Sequence, residues 1–479
     1  MAARSNWGEM PEGVDLSVLG GVADKDASRA VCRGWSVQAR LAQKKLRIVT
    51  AGLPERRFPE LLAKLSDWMH VTGLDLTGCC RPVADGCLEL LDEFEELESL
   101  ELDSGFEPED ALGAGLWLDS LRVVRGDGSP CSATVAASIV PLRWLADLSI
   151  EFCERVPIEH LGLLTSLTRL DVSGDRVEAG FGGLTALTEL RLCTDDFRAG
   201  VFEELGALGA LRSLTLAARC DGGDVELDEG GGAGRDFEAL RQLTGLTCFE
   251  MSGFDTERAG DAVRHMMSLM SLTLSHTGVS AAAVNSLRMP ELRCLDLGYL
   301  RLPALTPDAA GVFADLSHFG ALRYLSLNES DVGDATVATL VSLTDLTSLD
   351  LSFTPVTAAC LSSLLRMTRL ERLLMRDMDP NEVGHPVVRA ADLSPLLSLT
   401  ELDLGNSDAD DVTVASLTAL TGLTRLDLGR AAVTDACVAS LKRMPPLRRL
   451  GLSGLPFAAE GTAVAADLRA ALPHVELHN

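Results

Sequence analysis

The chain has 479 residues, a formal net charge of −28 at pH 7 and an apolar content of 47%. That charge repels nucleic acid and anionic membrane surfaces, and leaves a basic or neutral protein as the favoured partner class. Aromatic residues are only 4%, with 5 Trp and 2 Tyr, so the core of so long a chain must be aliphatic, and internal repetition has to be tested before counting domains.

Glu9, Glu12, Asp15, Asp24 and Asp26 break up the first 30 residues, so no run there is apolar enough for a signal peptide. No stretch approaches the ~20 apolar residues of a membrane span. The 12 cysteines are scattered and include no C-x-x-C pair. Reduced core thiols are therefore expected, and with them a cytoplasmic or nuclear location.

Residues 1–45 differ in pattern from the remainder of the chain. They run Met10-Pro11-Glu12-Gly13-Val14-Asp15-Leu16-Ser17-Val18-Leu19, then Val22, and close on Val31-Cys32-Arg33-Gly34-Trp35.

Beyond residue 45 the pattern L-x-x-L-x-L recurs. Its central position is held by Leu74, Leu100, Leu121, Leu148, Leu170, Leu190, Leu214, Phe249, Leu272, Leu295, Leu325, Leu349, Leu373, Leu402, Leu426, Leu450 and Val475. The mean period is about 25, within the range of leucine-rich repeats. The unit beginning at Leu426 shows the anatomy. Leu426 and Leu428 alternate with Arg425 and Asp427, which is strand spacing. Cys437, Val438 and Leu441 come next at helical spacing, with Thr434 as N-cap and Asp435 at the positive end of the dipole. Thr357 and Ser280 take the same cap position in their units. One unit cannot bury its own apolar face, so the units must stack.

This pattern resembles the leucine-rich-repeat superfamily. The expected architecture is an α/β solenoid over residues 46–479, with about 17 repeats, a curved parallel sheet on the concave side and short helices on the convex side. The family's usual Asn or Cys after the strand is replaced here by Thr277, Ser330, Thr354, Asp175 or Ala431. That substitution weakens the family's side-chain hydrogen-bond ladder. Inserted loops are expected near 217–237, which is acidic and Gly-rich, and near 299–313 and 376–395.

Set before such repeats, residues 1–45 resemble an F-box. Pro11, Val14, Leu16, Val18, Leu19 and Val22 match its first half, and the Val-Cys-Arg-x-Trp closure matches its end. Met10 stands where the motif has Leu, Gly20-Gly21 interrupts the first helix, and the segment before Val31 is short. The resemblance implies a small N-terminal helical module. It would bind a Skp-family adaptor through Pro11, Val14, Leu16, Val18, Leu19, Val22, Val31, Cys32 and Trp35. The chain would then be the substrate-recognition subunit of a cullin-type, SCF-like ubiquitin ligase, monomeric outside its complex. The alternative is a helical cap over the first repeat, on an interaction scaffold with no ligase linkage.

Residues flanking the central leucines form columns on the sheet. Asp171, Asp296, Asp350, Asp403 and Asp427 share one column, and Tyr324, Arg372, Glu401, Arg425 and Arg449 share the next. The expectation is a concave face that docks an unidentified protein substrate, with the acidic column steering a basic segment and Tyr324 and the arginines as anchors. Glu401, between Arg372 and Arg425, is placed to pair with both. No phosphate loop, zinc-protease motif or nucleophile elbow occurs. Cys79, Cys80 and Cys87, and His160, His265, His276 and His318, lack ligand spacing. The chain therefore reads as no enzyme, with no cofactor and no metal. Lysine is confined to Lys25, Lys44, Lys45, Lys64 and Lys442. Such scarcity suits a receptor that works beside a ubiquitin carrier, and equally a genome biased toward Arg, Ala and Gly codons.

Overall fold

The computed structural model describes residues 14–15, 28–32, 35–40, 45–50, 72–75, 97–102, 120–124, 142–156, 161–198, 200–218, 237–254, 258–300, 315–377, 387–444, 446–459 and 461–478. The chain divides into two compact units, residues 1–219 with 232–239 and residues 220–231 with 240–479.

In the first unit, parallel strands run from Lys45–Thr50 through Gly73–Asp75, Ser99–Leu102, Ser120–Val124, Asp147–Val156, Arg169–Val177 and Glu189–Phe197 to Ser213–Ala217. Successive central leucines pair directly, Leu46 with Leu74 and onward to Leu190 with Leu214. The rung at Leu46 precedes the first one legible as a hexad, because Lys45-Leu46-Arg47-Ile48 alternates without the upstream leucine.

In the second unit the same register joins Phe249, Leu272, Leu295, Leu325, Leu349, Leu373, Leu402, Leu426, Leu450 and Leu477. The last rung is Leu477 rather than Val475. Val475 instead fills the buried return-turn position that Leu447 holds one repeat earlier, and its N–H donates to the Leu472 carbonyl.

The buried rung leucines, Leu349 and Leu426 among them, are shielded because the helical side of the repeat closes over them. Around Leu426 the buried set is Leu428, Val433, Cys437, Val438, Leu441, Met444 and Leu447. Burying a Leu side chain stabilises by roughly 1.5–3 kcal/mol, and only stacking between neighbours brings that about. The helices are a turn or two long, such as the 3-10 turn Asp435–Cys437 followed by Val438–Leu441. Thr434, Thr357 and Ser280 cap them, accepting from Ala436, Ala359 and Ala283 N–H groups. The caps also join repeats: Asp334 accepts from the Thr357 amide and hydroxyl at 2.8 and 2.6 Å, and Asp411 does the same for Thr434 at 2.9 and 2.6 Å.

After seven strands of the second unit the backbone turns through a left-handed residue: His276, Tyr299, Glu329, Phe353, Asp377, Asn406 and Arg430 all have φ between 49° and 58°. Such values are uncommon for non-glycine residues. Here each N–H donates to a carbonyl of the next repeat at 2.6–3.1 Å, which extends the ladder past the strand. The hydroxyl one residue later closes the turn locally. Thr277 and Thr354 donate to Leu274 and Leu351 carbonyls at 2.7 and 2.6 Å, and Ser330 and Ser407 likewise bond Leu327 and Leu404. In these four repeats a bond within the repeat thus stands in place of a ladder between repeats.

The expectation of helices in residues 1–45 is corrected where the structure describes them. Ser28–Cys32 pairs antiparallel with Trp35–Arg40, which pairs antiparallel with Lys45–Thr50; Val14–Asp15 pairs with Val31 and Cys32. Val14, Val31, Cys32 and Trp35 are therefore strand residues. Trp35-Ser36-Val37-Gln38-Ala39-Arg40 alternates apolar and polar residues with period two, which suits a strand. Pro11, Leu16, Val18, Leu19 and Val22 lie outside the described residues, as do Cys79, Cys80, Cys87 and His160. So do residues 219–236, 301–313 and 378–386 of the expected loops, whereas Val387 and Val388 within the third are buried.

Replacing Leu349 with Ala should lower unfolding free energy by about 2–5 kcal/mol in urea titrations; a change under about 1 kcal/mol would contradict rung stacking. A second expectation concerns His318, whose Nε2 is shielded without a partner. Burial pushes its pKa below 6.5, aided by Arg288 and opposed by Asp315. The unfolded imidazole then binds protons more readily than the folded one, so stability is lost as pH falls through the ordinary histidine range. Thermal midpoints should drop more between pH 7.5 and 5.5 for the wild type than for His318→Phe, and parallel curves would refute this.

Candidate protein-binding surface

Strand alternation turns the residues beside each rung outward. In the second unit the register places Cys294, Tyr324, Ser348, Arg372, Glu401, Arg425 and Arg449 in one column. Asp296, Ser326, Asp350, Leu374, Asp403, Asp427 and Gly451 form the other. Asp296, Tyr324, Asp350, Arg372, Asp403, Arg425, Asp427 and Arg449 thus share one sheet face. Asp171 belongs to the first unit, 4.0 Å from Arg191, beside a cluster in which Arg169 reaches Asp147 at 2.8 Å and Glu189 at 3.0 Å.

Many of these charges are already engaged. Glu401 accepts from Arg372 at 2.9 Å and Arg425 at 3.2 Å, and Arg449 meets Glu476 at 3.1 Å. The aspartates organise their own strand ends. Asp296, Asp350, Asp403 and Asp427 accept from the N–H two residues on, that of Gly298, Ser352, Gly405 and Gly429, at 2.8–2.9 Å. Arg376 lies 3.9 Å from Asp403, 3.8 Å from Asp427 and 3.2 Å from Asp377. Ser326 and Leu374 interrupt the carboxylates, so the acidic column is not continuous.

Burial raises the Asp403 pKa, with Asp427 and Asp350 adding to the effect; the Gly405 N–H and Arg376 act against it. Burial likewise raises the Tyr324 hydroxyl, half-buried in its column with Asp296 and Asp350 nearby. Cys360 and Cys437 are core thiols pushed up to about 12 by burial, which leaves them unreactive. Among the described residues, no cluster of His, Cys, Asp or Glu has the arrangement of a metal site, and no helix is long and apolar enough to cross a membrane.

A further row is not evident from the leucine pattern: the left-handed residues themselves. His276, Glu329, Phe353 and Arg430 are exposed there, and Tyr299, Asp377 and Asn406 are half-buried. The available signal is the fourth residue after each central leucine with a hydroxyl next to it, as in Ser-His-Thr, Asn-Glu-Ser, Ser-Phe-Thr and Gly-Asn-Ser. Arg376 goes equally unmarked, since it lies one residue before that row.

No family model and no curated protein matches the chain. Among solved structures it is similar to TLR13 in complex with an ssRNA, at 18% identity over 82% of this chain and 56% of that one, with a TM-score of 0.51. It is likewise similar to Toll of Drosophila in the Toll–Spatzle complex, at 16% identity over 89% and 57%, also with a TM-score of 0.51. A leucine-rich-repeat protein of Leptospira interrogans aligns at 16% identity over 87% and 98%, with a TM-score of 0.47. The chain spans just over half the length of the first two. With the paired leucine rungs, the likenesses to the first two identify the fold as a leucine-rich-repeat solenoid.

Because the fold disfavours ionised Asp403, its contribution weakens as pH rises through the raised pKa. Asp403→Asn keeps an acceptor for the Gly405 N–H, so it should raise the urea midpoint at pH 7 and lose that advantage near pH 4. A lower midpoint at pH 7 would contradict the assignment. Glu401→Gln should cost under about 1 kcal/mol in the same titration, since the ion pairs are partly exposed.

Proposed function

We propose that the chain is a protein-interaction scaffold that grips a partner on the outward face of the second unit's sheet. The observation that carries this is the outward face itself. Side chains from consecutive repeats stand in register on a backbone held by paired strands, which is how a rigid scaffold presents contacts at low entropic cost. Two proteins of similar fold support the reading by their complexes, Toll with Spatzle and TLR13 with an ssRNA. The charge of −28 favours a protein partner over RNA. We place the activity in the cytoplasm or nucleus, with a monomer as the free form.

The finer reading is the substrate-recognition subunit of an SCF-like ubiquitin ligase, with a Skp-family adaptor on residues 1–45. The Val-Cys-Arg-x-Trp closure and the paucity of lysine favour it. The strands at Ser28–Cys32 and Trp35–Arg40 weigh against it, because the motif needs a helix there. The scaffold reading alone is therefore the conclusion.

Affinity purification with the full chain, beside a variant carrying Arg372→Glu and Arg425→Glu, tests the scaffold. A protein enriched by the wild type and lost from the variant is expected. Enrichment of nothing, or of the same proteins by both, would overturn it. Mixing the full chain with a Skp-type adaptor tests the finer reading: the strands predict no co-elution, whereas a complex lost on Trp35→Ala would restore the ligase assignment.

A further inference from the structure

The chain contains only 2 tyrosines, and both belong to neighbouring rungs of the second unit. Tyr324 pairs in register with Cys294 on one side and Ser348 on the other. Its hydroxyl lies near Ser326 on its own strand. Ser326 separates Asp296 from Asp350 in the neighbouring column. Asp296 and Asp350 lie one rung to either side of Ser326, about two strand spacings, or roughly 10 Å, apart, and both act on the Tyr324 hydroxyl. Tyr299 sits in the left-handed row beyond the strand end. Its ring stacks on His276, with centroids 3.8 Å apart and planes 19° from parallel, and its hydroxyl lies near Glu329. One repeat past Glu329 the same row presents Phe353, which is 46% exposed.

Two features separate this patch from the rest of the face. Asp403 and Asp427 have Arg376 beside them, whereas among the described residues no cation stands within ion-pair distance of Asp296 or Asp350. Each of those two carboxylates spends Oδ1 on a backbone N–H at 2.9 Å. The patch also gathers both tyrosines and an exposed phenylalanine in a chain that is 4% aromatic. Aromatic faces beside carboxylates that have no cation partner among the described residues suit a planar cation, which stacks on a ring and pairs with one of the acids.

We propose that Tyr299, Tyr324 and Phe353, with Asp296, Asp350 and Glu329, form a seat for an arginine side chain carried by a protein partner. This rests on the scaffold reading and names the chemistry its partner must present. An arginine fits better than a lysine because the guanidinium is flat and weakly hydrated, whereas an ammonium is a compact, strongly hydrated charge. Tyr324 supplies the anchoring face, since a two-torsion aromatic orders at low entropic cost.

The two tyrosines also make the test specific. Full-length protein labelled with carbon-13 at the tyrosine ring gives two ring environments, both in the seat. It would be titrated with capped Gly-Ser decapeptides carrying three arginines, three lysines or three glutamates. The arginine peptide should move both signals saturably and with salt sensitivity. The lysine peptide should bind several-fold more weakly, and the glutamate peptide should move neither signal. Asp350→Asn retains an acceptor for the Ser352 N–H and should weaken the arginine peptide about fivefold. Asp467→Asn, outside the face and paired with Lys442, should leave it unchanged. Still signals, equal response to arginine and glutamate peptides, or full affinity in Asp350→Asn would overturn the seat. So would concentration-dependent shifts without peptide, which would mean that a second copy occupies it. Partner capture by the full chain judges the scaffold separately: capture that survives Asp296→Asn with Asp350→Asn removes the seat and leaves the scaffold standing.

Discussion

The direct pairing of one leucine with the next, rung upon rung, is the constraint on which the rest of each unit depends. A repeat of this size has one strand and at most two helical turns, too little to enclose its own apolar residues. Leu349 is shielded because Leu325 and Leu373 stand in register on either side of it. A shift of one residue would turn the leucines outward and the aspartates inward. Register is therefore enforced by burial, and it carries a second consequence without further cost. Residues one before and one after each leucine must form straight columns, whatever their chemistry.

Those columns mix two duties that look alike in a sequence. An aspartate after the central leucine reads as an acidic surface, and in part it is one. Its Oδ1, however, accepts the N–H two residues later in four repeats of the second unit, and so shapes the strand's exit. The left-handed residue then hands its own N–H to the next repeat, and a threonine or serine closes the turn from inside. Few backbone groups are left over, which is how a loop can lie against a sheet edge without unpaired polar atoms. A carboxylate with one oxygen committed to the turn still offers the other to a partner, unless an arginine such as Arg376 takes it.

The fold was largely legible because its signal is periodic. Leucine recurrence identified the strands, and the spacing of Cys437, Val438 and Leu441 identified the helical return. The misreadings occurred where periodicity ends. Val475 matched a hexad, but one residue fewer in the last turn moves the rung to Leu477. In residues 1–45 a short motif outweighed the period-two alternation of Trp35, Val37 and Ala39, which the antiparallel strand obeys. On the outward face, column membership could be read from the sequence, since Asp296, Asp350, Tyr324 and Arg372 are placed by strand period alone. Their engagement could not. That Arg376 reaches across two rungs, or that Tyr299 stacks on His276, depends on a left-handed turn that no apolar pattern announces.

Recognition in such a molecule has to reside in departures from the repeat. Positions that obey the pattern are spent on stacking, and they are similar in every repeat, so they discriminate nothing. The rung leucines cannot contact a partner, and most of the outward charges are matched by neighbours. What varies is the residue before the leucine and the residue in the left-handed turn. Cys294, Tyr324, Ser348 and Arg372 succeed one another in the first, and His276, Tyr299, Glu329, Phe353 and Asp377 in the second. The turn position is the costlier for a bulky side chain, because a left-handed backbone disfavours one. Asn406 meets that conformation at less cost than Phe353 or Tyr299. Aromatic rings held there, one of them 46% exposed, add nothing to the leucine spine that a smaller residue would not also permit. On the scaffold proposal, their physical rationale lies outside the repeat, in what the face binds.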